Sequence, residues 1–225
     1  MSDIHLYYER YGSGEPLLLL HGNGDSHAFF KGQIPYLAER FTVYAPDTRG
    51  HGKNPMGTKP FTLSQFADDL FDFLDERGIE RAHLLGASDG ANIAMLFALR
   101  YPDRVRSLVL NSGNLEPEGL VPGFLREIRG IYETVKAQRT RETGLLELML
   151  LEPHIAPETL HSIAVPTLVI AGDDDLILPE HTRLIAESIP NAALVFLSGT
   201  HSVAQEQPDA FNAALGAFYD RIQSI

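Results

Sequence analysis

The sequence predicts an α/β fold: a doubly wound, mostly parallel sheet flanked by helices, with a short helical cap. Short apolar runs alternate with longer segments of helical period, and several of these runs are nearly continuous in valine, isoleucine and leucine. Strands that are covered on both faces require such runs, because neither face meets water. The 225 residues show no shift in composition, so we expect a single domain over residues 1–225.

Seven strands and five helices make up the predicted alternation. The strands cover residues 4–10, 16–21, 42–46, 82–86, 105–111, 166–171 and 193–197, and the helices cover residues 28–40, 63–77, 89–100, 179–188 and 208–222. In the second helix, apolar residues recur at the i, i+3, i+4, i+7 spacing of one helix face. Thr62 or Ser64 is the candidate N-cap of that helix, and Gly78 is its candidate stop.

Residues 114–165 interrupt the alternation with two helix-like segments, residues 124–138 and 145–151, and no strand. The first carries one apolar stripe, formed by Leu125, Ile128, Ile131, Tyr132 and Val135, and the second is apolar on nearly all sides. We interpret the insertion as a helical cap over one edge of the sheet. Two ordinary covering helices are the alternative.

The charge and the lack of cysteine exclude several function classes. The formal net charge of −12 repels phosphate backbones and anionic lipids, so neither nucleic acid nor a membrane is an expected partner. Without cysteine there are no disulfides, thiolate metal sites or cysteine nucleophiles. No signal peptide or membrane-spanning run is recognisable, so we expect a cytoplasmic protein that acts on a small molecule. The oligomeric state is not predicted.

Ser88 stands in a Gly-x-Ser-x-Gly pattern, directly after a predicted strand and before a predicted helix. Such a turn holds a serine in an unfavourable backbone conformation with its hydroxyl above the sheet edge. Side chains two residues away on either side would collide with the returning backbone, which explains Gly86 and Gly90. The helix then directs its N-terminal N–H groups toward developing negative charge. A glycine-flanked serine that only caps a helix is the alternative, and the context favours a nucleophile.

The first parallel strand ends in His-Gly-Asn-Gly at residues 21–24, beside the strand that leads to Ser88. Such a loop offers backbone N–H groups to an oxyanion, and the predicted donors are the N–H groups of Asn23 and Asp89. Dinucleotide binding is the competing interpretation of the two glycines. It is disfavoured because His27 occupies the place of the third glycine and Pro46 precedes the acidic residue that would bind a ribose.

A nucleophilic serine needs a base and an acid that orients it. Three candidate acids, Asp173, Asp174 and Asp175, follow one late strand, and His201 follows the next. Of the nine histidines, His201 is the one that combines a strand end with this context. A cation site at the three carboxylates is disfavoured, because their spacing is not that of a metal-binding loop, so no metal is expected.

The motifs and their order along the sequence resemble those of the α/β-hydrolase superfamily over most of the chain. The matching stretches are Leu-Leu-His-Gly-Asn-Gly (19–24), Asp-Thr-Arg-Gly-His-Gly (47–52), Gly-Ala-Ser-Asp-Gly (86–90), Gly-Asp-Asp-Asp (172–175) before Pro179, and Gly-Thr-His (199–201). The resemblance implies that the acid is Asp175, three residues after the glycine and four before the proline. It also implies that residues 47–52 form a structural corner and that no cofactor is needed.

Two features depart from that resemblance. The insertion at residues 114–165 is shorter than many caps, which implies a small or open pocket. Asp89 follows the serine at a variable position, as in some amino-acid-ester hydrolases. A carboxylate there could attract a substrate amine, whereas we favour a surface-facing or helix-capping role.

The predicted function is therefore a serine hydrolase that cleaves an ester-like bond of a small molecule through an acyl-enzyme on Ser88, with a catalytic triad of Ser88, Asp175 and His201. The substrate pocket is expected to include His21, Gly22, Phe29, Asn114 and Met149. The same triad could instead serve C–C bond hydrolysis, lactone hydrolysis, cofactor-free peroxidase or lyase chemistry. A ligand receptor with slow or no turnover is the alternative of another class. Dehalogenase and epoxide hydrolase activity are disfavoured, because both would place aspartate at position 88.

Overall fold

A computed structural model describes residues 2–223, and its centre is a seven-stranded sheet. The strands in chain order are β1 (Tyr8–Tyr11), β2 (Glu15–Leu20), β3 (Phe41–Pro46), β4 (Ala82–Ala87), β5 (Val105–Asn111), β6 (Thr167–Gly172) and β7 (Ala192–Leu197). Their spatial order is β1-β3-β2-β4-β5-β6-β7, and only β1 is antiparallel to its neighbour. The predicted fold class is confirmed.

The apolar run of β2 shows why this sheet is covered on both faces. Leu18 and Leu20 pack into one core cluster, whereas Leu17 and Leu19 pack into the other, and all four are fully buried. Successive side chains of a strand point to opposite faces, so a run of four leucines serves both cores. Buried apolar side chains of this kind contribute about 1.5–3 kcal/mol each.

Helices cover both faces of the sheet. They are α1 (Ile34–Leu37), α2 (Leu63–Glu76), α3 (Asp89–Arg100), α4 (Pro122–Val135), α5 (Arg141–Leu151), α6 (Pro179–Ser188), α7 (Val203–Glu206) and α8 (Pro208–Gln223). The side chain of Thr62, rather than Ser64, caps α2 by accepting the N–H of Gln65 at 3.1 Å. Gly78 follows the helix with a φ of 63°, as a stop residue requires. No helix within residues 2–223 is both long and apolar enough to cross a membrane.

Two predicted elements are wrong in extent. The helix expected over residues 28–40 is divided into a 3₁₀ turn (His27–Phe30) and the single turn α1. Pro35 has no N–H to donate, so it is tolerated only in the first turn of a helix. The strand expected over residues 4–10 begins only at Tyr8, because the N–H of Tyr7 is donated to the side chain of Asn54 at 2.8 Å.

Residues 114–165, which we call the cap segment, contain α4 and α5 and lie between β5 and β6. Leu120 and Ile128 of this segment are buried against Ile177, with Phe124, Leu125, Leu146, Met149 and Leu150 packed around them. The predicted stripe on α4 is therefore buried only in part, and Ile131 is 46% exposed. The two helices pack against each other and against the chain that follows β6, where they close one side of a cavity.

Candidate active site

Ser88 lies in a strained corner between β4 and α3. Its φ of 54° and ψ of −123° belong to a region that costs a non-glycine residue roughly 1–3 kcal/mol. The corner is held because the N–H of Ser88 is donated to the carbonyl of Asn111 at 2.8 Å. A Cβ at Gly86 would overlap the carbonyl of Gly90, and a Cβ at Gly90 would overlap that of Leu20. The predicted requirement for both glycines is confirmed.

His201 and Asp175 form a close pair at the carboxyl ends of β7 and β6. Nδ1 of His201 lies 2.6 Å from Oδ1 of Asp175, whose side chain is 2% exposed. Burial alone would raise the pKa of Asp175. The hydrogen bonds from His201, Ser112 and Ile177, together with the charge of His201, have the larger effect, and the pKa is lowered. An ionised carboxylate only accepts, so Nδ1 carries a proton, and Nε2 is the ring nitrogen left to act as a base.

Ser112 supports this pair and was missed by the sequence prediction. Its hydroxyl donates to Oδ2 of Asp175 at 2.5 Å, while the amide of Asn111 donates to the Ser112 oxygen at 2.8 Å. Ser112 also has a φ of 54°, so it is a second serine held in a strained turn. The signal that could have found it is its position directly after β5, at the sheet edge that also carries the other site residues.

The two carboxylates that precede Asp175 shape the turn. Oδ1 of Asp173 accepts the N–H of Gly199 at 2.9 Å, and the N–H of Asp174 is donated to the carbonyl of Gly199 at 3.0 Å. These bonds hold the loop that contains His201 beside the loop that contains Asp175. The interpretation of Asp173 and Asp174 as turn residues agrees with this arrangement.

The His-Gly-Asn-Gly loop runs alongside the serine. A Cβ at Gly22 would lie 3.0 Å from Cβ of Ser88, closer than an ordinary van der Waals contact, so glycine favours this approach. Nδ1 of the buried His21 donates to the carbonyl of Gly22 at 2.8 Å, and Nε2 accepts the N–H of Thr48 at 3.0 Å. Burial lowers the pKa of His21 to about 4, so the ring is neutral and works as a brace for the loop.

Asp89 neither faces the surface nor caps the helix, so that prediction is wrong. The residue is 7% exposed, and Oδ2 accepts the side-chain amide of Asn23 at 2.9 Å. Oδ1 accepts a longer hydrogen bond, 3.4 Å, from the amide of Asn92. Burial raises the pKa of Asp89. The sequence could not show this burial, because the partners come from separate segments of the chain.

Ser88 and His201 line one cavity of about 150 Å³, together with Asn23, Asp89, Asn114, Leu120, Phe124, Met149, Glu152, Leu176 and Ile177. Of the predicted pocket residues, Asn114 and Met149 belong to this lining. His21, Gly22 and Phe29 are not among its lining residues, so this part of the prediction is wrong. Phe29 instead packs edge-on against Phe30 in the core, with ring centroids 4.8 Å apart.

Glu152 is the charged residue of this lining that the sequence prediction missed. Its Oε2 accepts the N–H of Leu63 at 2.7 Å, and burial raises its pKa, with a smaller contribution in the same direction from the charge of Asp89. The residues that line the cavity thus include two carboxylates and neither lysine nor arginine. This arrangement disfavours an anionic ligand.

Comparisons with known proteins agree with this geometry. The sequence model of the alpha/beta hydrolase fold matches residues 15–158. A protein of Azorhizobium caulinodans named carbamate hydrolase RutD is 32% identical, over 98% of this chain and 97% of its own. The 3-oxoadipate enol-lactonase 2 of Acinetobacter baylyi is 26% identical, over 97% and 94%.

Comparison with a solved structure gives the same fold. A thermophilic esterase from Thermogutta terrifontis superimposes with a TM-score of 0.83 at 26% identity, covering 97% of this chain and 94% of that one. Hydrolase activity is the function that these relatives share by name. The chain belongs to the alpha/beta hydrolase family.

Proposed function

We propose that this chain is a serine hydrolase that cleaves an ester-like bond of a small molecule through an acyl-enzyme on Ser88. The observation that carries the proposal is the pair of His201 and Asp175, 2.6 Å apart, in the same cavity as a strained serine. A base with its proton fixed on Nδ1, beside a hydroxyl at a helix N-terminus, is the arrangement that acyl transfer requires.

The proposed reaction has two halves. Nε2 of His201 accepts the proton of the Ser88 hydroxyl while Oγ attacks the substrate carbonyl, and the imidazolium then protonates the leaving alcohol. In the second half, His201 deprotonates a water molecule that attacks the acyl-enzyme, and the imidazolium returns this proton to Oγ of Ser88 as the bond between Oγ and the acyl carbon breaks and the acid is released. Asp175 stabilises the imidazolium in both halves without accepting its proton.

The oxyanion of each tetrahedral intermediate is proposed to bind the backbone N–H groups of Asn23 and Asp89. The first belongs to the loop that passes Ser88, and the second is the first residue of α3. The positive end of the α3 dipole adds to their effect. Two such donors lower the barrier by several kcal/mol, since losing one costs about 10²–10³ in kcat.

The cavity favours a small and uncharged acyl group. Its volume of about 150 Å³ is modest, and its apolar wall is formed by residues such as Phe124, Met149 and Ile177. Asp89 and Glu152 would repel a carboxylate of the substrate. A lactone that keeps a free carboxylate, as an enol-lactone of 3-oxoadipate does, therefore fits this lining less well than a neutral ester.

Turnover of Ser88→Ala tests the proposal. On short-chain 4-nitrophenyl esters we expect kcat to fall by about 10⁴ or more, with the thermal unfolding temperature unchanged within a few degrees. Ser162→Ala is a matched control, because the Ser162 hydroxyl donates to the carbonyl of Thr159 outside the cavity. Turnover by Ser88→Ala at the wild-type rate would refute the proposal.

Carbamate cleavage is a second candidate, favoured by the 32% identity to a protein named for that substrate. The carbonyl of a carbamate can be attacked by the same serine and held by the same N–H groups. Ratios of kcat/KM for matched ester and carbamate pairs separate the two activities. A carbamate preference of tenfold or more, lost in Ser88→Ala, would replace the ester assignment while leaving the nucleophile in place.

A further inference from the structure

The side chain of Asn23 connects three parts of the site. Its amide nitrogen donates to Oδ2 of Asp89 at 2.9 Å and to the carbonyl of Leu145, in helix α5 of the cap segment, at 3.0 Å. The carbonyl of Leu145 can only accept, so the amide nitrogen of Asn23, not its oxygen, must face it. Both protons of the amide are thereby used.

Asn23 and Asp89 are also the two residues whose backbone N–H groups are proposed to bind the oxyanion. The link between their side chains therefore fixes the loop after β2 relative to the start of α3. The carboxylate is buried, and an ionised buried group depends on such donors. Removing one partner leaves the other without its hydrogen bond, in a place where water has little access.

The connection continues to the other end of the cap segment. The amide of Asn92 donates to Asp89 at 3.4 Å and to the side-chain oxygen of Asn114, the first residue of the cap segment, at 2.8 Å. The N–H of Asn114 is donated back to the oxygen of Asn92 at 2.9 Å. Asn92 and Asn114 are both buried. One polar network thus holds the cap segment at Asn114 and at Leu145.

We propose that the side chain of Asn23 is a positioning group that joins the two oxyanion-hole residues to each other and to the cap segment, so that the seating of the cap segment sets the geometry of the hole. This inference rests on the proposed function. It assigns Asp89 a role within the protein, as the acceptor of Asn23, in place of contact with a substrate amine. A displacement of either N–H group by a fraction of an ångström weakens its bond to the oxyanion.

A double-mutant cycle with Asn23→Ala, Asp89→Ala and the double variant tests the link on 4-nitrophenyl acetate. Each single variant keeps its backbone N–H, so we expect kcat to fall about 10- to 100-fold with KM changed less than about threefold. We expect kcat of the double variant to lie within about threefold of kcat of the slower single variant, because both changes break the same hydrogen bond. Inhibition by phenylboronic acid, which forms a tetrahedral adduct on serine, should weaken in parallel with kcat/KM.

Asp89→Asn is the conservative variant that separates this role from a purely electrostatic one. Its amide oxygen can still accept from Asn23, so kcat should be at least about threefold higher than that of Asp89→Ala. Asn191→Ala is the matched asparagine control, since the Asn191 amide donates to the carbonyl of Ala164 at 2.8 Å outside the cavity lining. If Asn23→Ala does not fold, the comparison of Asp89→Ala with Asp89→Asn decides alone.

Three results would overturn the inference: unchanged kcat in Asn23→Ala, multiplicative losses in the double variant, or an Asp89→Asn as slow as Asp89→Ala. A rise in KM confined to amine-bearing esters would instead place Asp89 against the substrate.

Ser88→Ala is measured in parallel. If Ser88→Ala is inactive and Asn23→Ala is normal, only the inference fails; if Ser88→Ala is fully active, the proposed function fails and the inference with it.

Discussion

His21 and His201 stand at the carboxyl ends of strands in the same sheet, but their hydrogen bonds differ. Nδ1 of His21 donates to a backbone carbonyl, and its Nε2 accepts a backbone N–H, so both nitrogens are occupied. Nδ1 of His201 is paired with the carboxylate of Asp175, and no residue within 2–223 forms a hydrogen bond with its Nε2. The His201 side chain is 23% exposed, whereas His21 is 1% exposed.

This difference explains why only one of the two rings is suited to act as a base. A proton on Nε2 of His21 would face the N–H of Thr48 in a buried site, and burial already lowers the pKa of that ring to about 4. A proton on Nε2 of His201 would create an imidazolium beside a carboxylate, which stabilises it. The partner on each nitrogen, more than the position at the sheet edge, decides the role of a histidine.

The largest expected effect comes from His201→Gln. Glutamine has a similar reach but cannot accept the serine proton, so we expect kcat on a short-chain ester to fall by about 10⁴ or more. Steady-state kinetics with a circular-dichroism check of folding provide the measurement. A loss below about tenfold would show that another group is the base.

The second largest effect is expected for Asp175→Asn, in which kcat should fall by about 10³–10⁴. The amide can donate to Nδ1 of His201, which favours the tautomer that carries its proton on Nε2 and cannot accept one from serine. The loss should be almost entirely in kcat, with KM changed only slightly. A variant that keeps a tenth of wild-type turnover would contradict the proposed role of the pair.

His21→Phe should lower kcat only about tenfold, because it removes a brace of the loop at residues 21–24 and no reacting group. Its distinguishing effect is on stability. The folded-state pKa of about 4 lies below the ordinary value of 6.5, so the unfolded chain binds more protons between these pH values. The free energy of unfolding of wild type relative to that of His21→Phe should therefore decrease by about 3 kcal/mol from pH 7.5 to pH 4, as measured by urea unfolding. A constant difference would show that His21 does not titrate in this way.

Ser112→Ala has the smallest expected effect on turnover, a loss of about threefold. The hydroxyl of Ser112 is one of the donors that lower the pKa of Asp175, so its removal should raise that pKa and move the acidic limb of kcat/KM to higher pH. Ser162→Ala again provides the control. An unchanged pH profile would restrict Ser112 to a structural role.

Residues in local motifs were predictable from the sequence because the turn itself demands their types. The corner at Ser88 needs glycine at position 86, where a Cβ would overlap the carbonyl of Gly90, and at position 90, where a Cβ would overlap that of Leu20. This requirement is visible in five consecutive residues. His201 and the loop at residues 21–24 could be placed beside it because parallel strands bring their carboxyl ends to one edge. The strands β2 to β7 were predictable because each contains a short apolar run, whereas β1 has the sequence Tyr-Glu-Arg-Tyr and its predicted start was wrong.

Contacts between distant segments were not predictable in this way. Glu152 reaches the cavity from the cap segment, and no local pattern indicates that it would. Asp89 was misplaced because its partner Asn23 lies 66 residues earlier in the chain. Phe29 follows the loop at residues 21–24 closely in sequence, but the 3₁₀ turn that contains it directs its ring into the core. A one-dimensional pattern gives spacing along the chain, whereas these contacts depend on how the segments pack.

The most direct test of the central claim is the identification of the residue that a fluorophosphonate modifies. Ser88 activated by His201 and Asp175 should take up one adduct per chain, located on the peptide that contains Ser88 by mass spectrometry. The adduct should be absent in Ser88→Ala and formed at least about 10³ times more slowly in His201→Gln. Continued ester turnover without modification of Ser88, or an equal labelling rate in His201→Gln, would contradict the account.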